Sequence, residues 1–174
     1  MNISTLIQRF FLPGIVKTLY FSLKYNSKVS PKAEVDISPH LQLGEGSVIS
    51  SFTKIKATDG PLKIGKRSSV EFGCFIAAGE AGVEIGENCL IGPNVSIIGN
   101  SYNYDKKGIN LEDLGKTSKG VKIGANTWIG AGTAILDGAQ IGDNSIIVAN
   151  SLINRKYKND VILQGAPAKV ILSR

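Results

Sequence analysis

From Ile37 onward an aliphatic residue returns at every sixth position, and that period restricts the chain to one kind of architecture. The first run is Ile37, Leu43, Ile49 and Ile55; after a three-residue insertion come Ile64, Val70 and Ile76, and after another Ile85, Ile91 and Ile97. Following a long interruption the beat resumes at Ile123 and continues through Ile129, Ile135, Ile141, Ile147 and Ile153. Glycine often stands directly after the beat, as at Gly44, Gly65, Gly86, Gly92, Gly124, Gly130 and Gly142. Four places after the beat the residue is nearly always small: Ser47, Thr53, Ser68, Cys74, Cys89, Thr127, Thr133, Ala139, Ser145 and Ser151. Three coincident features at a fixed short period indicate a parallel β-helix, an all-β solenoid in which each six-residue unit supplies one strand and one turn.

Three such units close a triangular coil. The aliphatic residue points into the shaft, the small residue fills the space near a corner, and stacked coils bring like positions into ladders at the ordinary strand spacing of roughly 4.8 Å. A length of 174 residues with 43% apolar content suits one domain with its own core. Cys74 and Cys89 both fall in the small interior slot, which predicts packing rather than a disulfide, and nothing else in the sequence points to an oxidising compartment.

The net charge of +6 is concentrated at one end. Residues 1–32 hold Arg9, Lys17, Lys24, Lys28 and Lys32 and no acidic residue. The same segment carries Phe10, Phe11 and Leu12, then Ile15, Val16, Leu19, Tyr20, Phe21 and Leu23. Pro13-Gly14 divides it into pieces too short to span a bilayer, and no small-residue cleavage site follows. The organisation expected is a basic, apolar, helical segment over 1–32 and a β-helix domain over 33–174. Two readings of the segment stand together: a cap for the open end of the sheet, and a peripheral contact with an anionic membrane surface. The cations are too sparse and the segment too apolar for nucleic-acid binding.

The interval from Ile97 to Ile123 exceeds the repeat by 20 residues and extrudes a loop, about 99–122, rich in Asn, Tyr, Lys, Gly and Asp. A loop this long in a strict repeat is usually functional; surface decoration and an oligomer contact are the alternatives. Around it stand Ile91-Gly92-Pro93-Asn94-Val95-Ser96-Ile97, then Ile123-Gly124-Ala125-Asn126-Thr127-Trp128-Ile129-Gly130, and finally Gly165-Ala166-Pro167-Ala168-Lys169-Val170. From about residue 37 to the C-terminus these motifs resemble the hexapeptide-repeat acetyltransferases, in the branch that contains sugar and lipopolysaccharide O-acetyltransferases.

The resemblance implies a left-handed shaft, a homotrimer, and acetyl-CoA as co-substrate in grooves between neighbouring shafts. Carried over by motif position, the backbones of Ala131 and Ala149 would meet the pantetheine arm. Asn154, Arg155 and Lys169 would lie toward the nucleotide, where phosphates call for cations, and Trp128 would border the pantetheine or acceptor. Each has a plainer reading: an exposed Lys is usually solvated surface, and Trp128 also suits packing at a coil corner. In the family a loop histidine is the general base. Counted from Pro93, its position is occupied here by Tyr102, within Gly99-Asn100-Ser101-Tyr102-Asn103-Tyr104-Asp105.

A phenol holds its proton at neutral pH and serves as a base only when strongly activated. The other candidates are Asp105, nearby in the loop, and Glu80, which falls where relatives place an acceptor-binding acid. His40 is the only histidine and lies about three coils earlier. That count excludes the three-histidine zinc site of carbonic anhydrases built on the same shaft, so no metal is expected. The expected function is acetyl transfer from acetyl-CoA to a sugar of a lipid-linked or other surface-glycan precursor, in the cytoplasm or at the inner face of the membrane. The alternatives are a silent trimeric scaffold and an N-acetyltransferase acting on an amino sugar.

Overall fold

A computed structural model describes residues 13–105 and 107–174. Phe10, Phe11, Leu12 and Arg9 lie outside the described residues. The chain winds into a left-handed parallel β-helix with three faces. Face A stacks Lys28–Val29, Val48–Ile49, Ser69–Val70, Leu90–Ile91, Trp128–Ile129, Ile146–Ile147 and Val161–Gly165, all parallel. Face B stacks Glu34–Val35, Lys54–Lys56, Phe75–Ala77, Ser96–Ile98, Ala134–Ile135 and Leu152–Ile153. Face C stacks Leu41–Leu43, Leu62–Ile64, Val83–Ile85, Val121–Ile123 and Gln140–Ile141.

The shaft begins at Lys28, ahead of the boundary expected at residue 33, because Lys28 and Val29 pair with Val48 and Ile49. The first inward residues are Val29, Val35 and Leu41, all buried. Ile37, where the sequence period seemed to start, is only half-buried and sits in the corner after Val35 rather than on a strand. The later beats from Leu43 to Ile153 all point inward and are buried.

All ten small interior residues named above are buried, and several bond coil to coil. The Ser68 hydroxyl donates to the Gly86 carbonyl at 2.7 Å and accepts the Cys89 N–H at 3.0 Å. Thr53 repeats the pattern with the Glu71 carbonyl (2.7 Å) and the Cys74 N–H (3.3 Å). The thiols of Cys74 and Cys89 each lie 3.1 Å from a carbonyl of the next coil, Gly92 and Gly124. Burial pushes both thiols above their ordinary range, so they are packing groups and poor nucleophiles.

The corner between faces C and A shows why glycine follows the beat. Gly44, Gly65, Gly86, Gly124 and Gly142 stack backbone on backbone: a Cβ on Gly65 would stand 2.4 Å from the Gly86 carbonyl carbon, and one on Gly124 2.5 Å from the Asp143 nitrogen. Two residues later the chain turns through left-handed conformations at Arg67, Asn88, Asn126, Asn144 and Asp160. Asparagine tolerates that region, and its amide bonds along the stack, Asn126 to Asn144 at 2.9 Å and Asn144 to Asp160 at 3.1 Å.

Both ends of the shaft are closed. Helix α1 (Gly14–Tyr25) lies over the first coil and inserts Phe21 into the core, with Tyr20 edge-on to it. The Thr18 hydroxyl donates to the Val29 carbonyl at 2.8 Å and the Tyr25 hydroxyl to the Leu41 carbonyl at 2.7 Å, satisfying acceptors the first coil would otherwise leave open. Of the capping and membrane readings, the cap is therefore present. At the other end Ala168–Ser173 turns back antiparallel on Val161–Gly165, and Ala168 is fully buried.

Replacing Gly86 by Ala sets a methyl 2.6 Å from the Ala125 nitrogen and 2.8 Å from the Gly124 carbonyl carbon. Overpacking of that order is expected to destabilise the fold by about 1–3 kcal/mol, read as a lower midpoint in urea unfolding with an unchanged slope. Unchanged stability would mean that the coils are free to move apart.

Candidate functional site

Two corners carry the candidate residues, and they are different corners. The long loop leaves the fourth coil between faces B and C. Its root is tied down: Ser118 Oγ donates to the Gly99 carbonyl at 2.6 Å and accepts the Ala81 N–H at 3.0 Å. Glu80 precedes Ala81 in the preceding coil and is exposed near the base of the loop. Further out, Ser101–Tyr102 pairs antiparallel with Lys116–Thr117, and the Lys116 ammonium stands 5.6 Å from the centre of the Tyr102 ring. Tyr102 is about half exposed. Asp105 is exposed beyond this pairing, and its N–H donates to Asn103 Oδ1 at 3.4 Å.

His40 stands on the same corner three coils earlier, as its sequence position implied. It lies at one end of a groove of about 420 Å³ that runs over Lys63 and Glu84 to the loop root at Lys119 and Lys122. Glu84 lies between the two lysines, 3.7 Å from Lys63 and 3.6 Å from Lys122. The sole histidine and the loop therefore share one surface, a relation that sequence distance conceals.

Of the expected cofactor residues, Ala131 and Ala149 stand on the corner between faces A and B. Successive coils place Ala149 directly after Ala131, with the Asn150 N–H donating to the Ala131 carbonyl at 2.9 Å. Among the described residues, the N–H groups of Ala131 and Ala149 have no hydrogen-bond partner. Earlier coils put Ser51, Phe72 and Pro93 at this position, and the last coils carry only a methyl group there. Gly165 continues it, and Lys169 pairs across the adjacent Gln164. Trp128 is about half exposed on face A, three residues before Ala131.

Asn154 and Arg155 follow the face B strand Leu152–Ile153 and stand at its other edge, the corner between faces B and C, where the Gln140 N–H donates to the Arg155 carbonyl at 3.2 Å. The Arg155 guanidinium donates to the Ala168 carbonyl at 3.3 Å, beside the Tyr157 hydroxyl that donates to the same oxygen at 2.8 Å. Part of its role is thus to fasten the C-terminal cap, while its exposed side chain stays next to Lys169. Asn154 is exposed beside it.

The column suits a coenzyme A: unpaired amides for the carbonyls of a pantetheine arm, and cations at its far end for phosphates. Face B separates it from the loop corner, a strand of two or three residues, on the order of 10 Å with its corners. One copy of the chain holds its cofactor column and its loop on opposite edges of that face.

The residues that repeat also match known families. The profile described as "Bacterial transferase hexapeptide (six repeats)" matches residues 120–155, and that described as "Hexapeptide repeat of succinyl-transferase" matches residues 61–98 and 82–113. Galactoside O-acetyltransferase of Escherichia coli (strain K12) is 38% identical over 92 residues, 51% of this chain and 43% of that protein. The chain belongs to the hexapeptide-repeat acetyltransferase family.

Galactoside O-acetyltransferase of Lactococcus lactis subsp. lactis (strain IL1403) is 32% identical over 49% of this chain and 41% of that protein. The chain thus spans less than half the length of these relatives. Among solved structures, the Bacillus cereus N-acyltransferase AntD in complex with dTDP and 3-hydroxybutyryl-CoA superposes with a TM-score of 0.77 at 18% identity, over 91% of this chain and 88% of that one. A galactoside acetyltransferase in complex with coenzyme A gives 0.60 at 23% identity, over 98% and 77%. At these identities the likeness speaks for the shared fold.

Two substitutions test the column. Removing the Lys169 cation is expected to weaken coenzyme A binding at least tenfold, the loss of one charge-assisted contact of about 1.5–3 kcal/mol. Ala149→Leu lays a larger side chain over the open amide at an exposed position, and is expected to weaken binding further without lowering the thermal midpoint. Titration calorimetry reads both, and unchanged affinity in both variants would place the cofactor elsewhere.

Proposed function

We propose that the protein is an acetyl-CoA-dependent O-acetyltransferase, a cytoplasmic homotrimer acting on a sugar of a surface-polysaccharide or lipopolysaccharide precursor. The observation that carries this reading is the column of unpaired amides at Ala131 and Ala149 in line with Lys169. The activity of the matched Escherichia coli relative agrees with it.

The reaction asks three things of the chain. Carbonyl acceptors of the donor arm are met by the two amides. A base must take the proton of the acceptor hydroxyl as its oxygen forms the new ester bond, and the leaving thiolate then takes up a proton. Donors must also hold the oxyanion while the thioester bond breaks. For the base the loop corner offers Glu80, Tyr102 and Asp105. Glu80 adjoins Ala81, whose N–H is tied to the loop root, whereas Tyr102 depends on the exposed pairing beside Lys116. Because loop and column occupy opposite edges of face B, a working site takes the loop from one copy and the column from the next, which is the reason for a closed trimer.

A second reading, transfer to the amine of an amino sugar, is favoured by one observation: the loop contains no histidine. An amine is itself nucleophilic once unprotonated and needs less help from a base than an alcohol does.

The test is a mixing experiment. A variant with Lys169→Ala and Ala149→Leu and a second with Glu80→Gln and Tyr102→Phe should each be nearly inactive with an acetyl acceptor. Unfolded together and refolded, they are expected to recover about a quarter of wild-type activity, since random trimers rebuild that fraction of shared sites. No recovery with both variants folded and trimeric would place the whole site in one subunit. Failure of the wild-type chain to bind coenzyme A would leave a scaffold as the function.

A further inference from the structure

The buried side of α1 is accounted for by the first coil, but the opposite side is also apolar. Ile15, Leu19 and Leu23 recur at four-residue spacing and are 66%, 57% and 87% exposed, with Val16 beside them at 45%. An amphipathic cap would normally be polar on that side. The polar groups that are present carry one sign. Lys24, Lys28 and Lys32 are exposed, and no acidic residue occurs between Gly14 and Ala33. The first that follows, Glu34, is engaged by Lys54 at 2.9 Å. Lys17, counted among the cations of this segment, is buried against the shaft and adds nothing to the surface.

A second apolar element adjoins the first turn of α1. Gly14 packs against the Pro31 carbonyl. The next residue, Lys32, holds its ammonium 5.8 Å from the Phe52 ring, and Phe52 meets Phe72 edge-to-face at 5.9 Å. Both phenyl groups are exposed, at 62% and 50%. The Phe52 backbone is left-handed, with φ of 60°, at the corner position where the following coils carry Gly73, Asn94, Gly132 and Asn150. A bulky residue is strained there. The fold gains little from this phenyl group and would accept the asparagine used two coils later, so its presence calls for a role outside the fold.

We infer that the α1 end of the shaft, together with the Phe52–Phe72 edge, is a docking surface for an anionic lipid bilayer. Exposed aliphatic and aromatic groups enter the boundary of headgroups and acyl chains, while the three lysines meet the lipid charge. Among the described residues no helix is long and apolar enough to cross a membrane, so the contact is peripheral. This inference does not depend on the acetyl-transfer reading, because it is tested without donor or acceptor.

The experiment is vesicle sedimentation of the full chain at about 50 mM and about 500 mM salt. The vesicles are phosphatidylcholine alone or phosphatidylcholine with a third phosphatidylglycerol. Binding is expected on the anionic vesicles, weaker on the neutral ones, and reduced severalfold by salt. Leu19→Glu with Leu23→Glu should lower the partition coefficient more than tenfold while the solution mass by light scattering stays the same. Phe52→Asn should weaken partition severalfold and leave the thermal midpoint equal or higher, a separation that loss of folding cannot imitate. The inference is overturned if the wild type fails to bind at low salt or if the double variant binds as well as the wild type. It is equally overturned if the double variant changes the solution mass, since the face would then join copies of this chain.

Discussion

Everything in this molecule depends on how closely one coil can lie on the next. Parallel strands on three faces fix the spacing at roughly 4.8 Å, and at that distance a corner has no room for a side chain between backbones. The glycine column from Gly44 to Gly142 meets the demand on one corner. Inside, a corner carbonyl that a larger apolar residue would isolate is reached by a small hydroxyl or thiol, as at Ser68 and Cys89. Both requirements arise from the same geometry. That is why glycine, aliphatic residue and small residue keep one period, and why a substitution in any of the three disturbs more than one coil.

Close stacking also creates the candidate site. Because like positions fall into columns, a feature repeated in two adjacent coils becomes a line of functional groups. Ala131 and Ala149 give the corner between faces A and B two successive open amides edged only by methyl groups, where Pro93 in the coil before has no N–H. The columns run along the shaft and never across it. Groups on two corners of one triangular coil stay a face apart, and the trimer of the proposed function would bring them together across copies.

Much of this was legible in the residues, and the failures have a physical cause. The beats from Leu43 to Ile153, the interior slots and the extruded loop are direct consequences of stacking, which local sequence expresses. The start of the shaft was misplaced because the corner between faces B and C takes insertions of unequal length. Val35 and Leu43 are eight residues apart, whereas Ile55 and Ile64 are nine, so Ile37 matched the period by accident while Val29 and Val35 began it. The expected cofactor residues Ala131 and Ala149 are placed by motif position because they belong to the repeat. Arg155 had a second duty, the bond to the Ala168 carbonyl, that no period expresses. The loop residues are least legible: Ala81, next to Glu80, meets the loop through Ser118, which lies 37 residues further along the chain.

The two ends of the shaft also bear on what the acceptor must be. Closed threefold symmetry about an axis parallel to the shafts would set three α1 ends in one plane, and three weak contacts acting together bind far more tightly than one. The loop leaves the fourth coil, three coil spacings or about 14 Å above the first. An acceptor tethered to the same bilayer then meets the site only if its reacting sugar stands that far from the surface, beyond the headgroups. Under the proposed function and the proposed membrane contact together, a glycan whose reacting sugar stands one or two residues out from its lipid would meet this distance, whereas a hydroxyl at headgroup level would not.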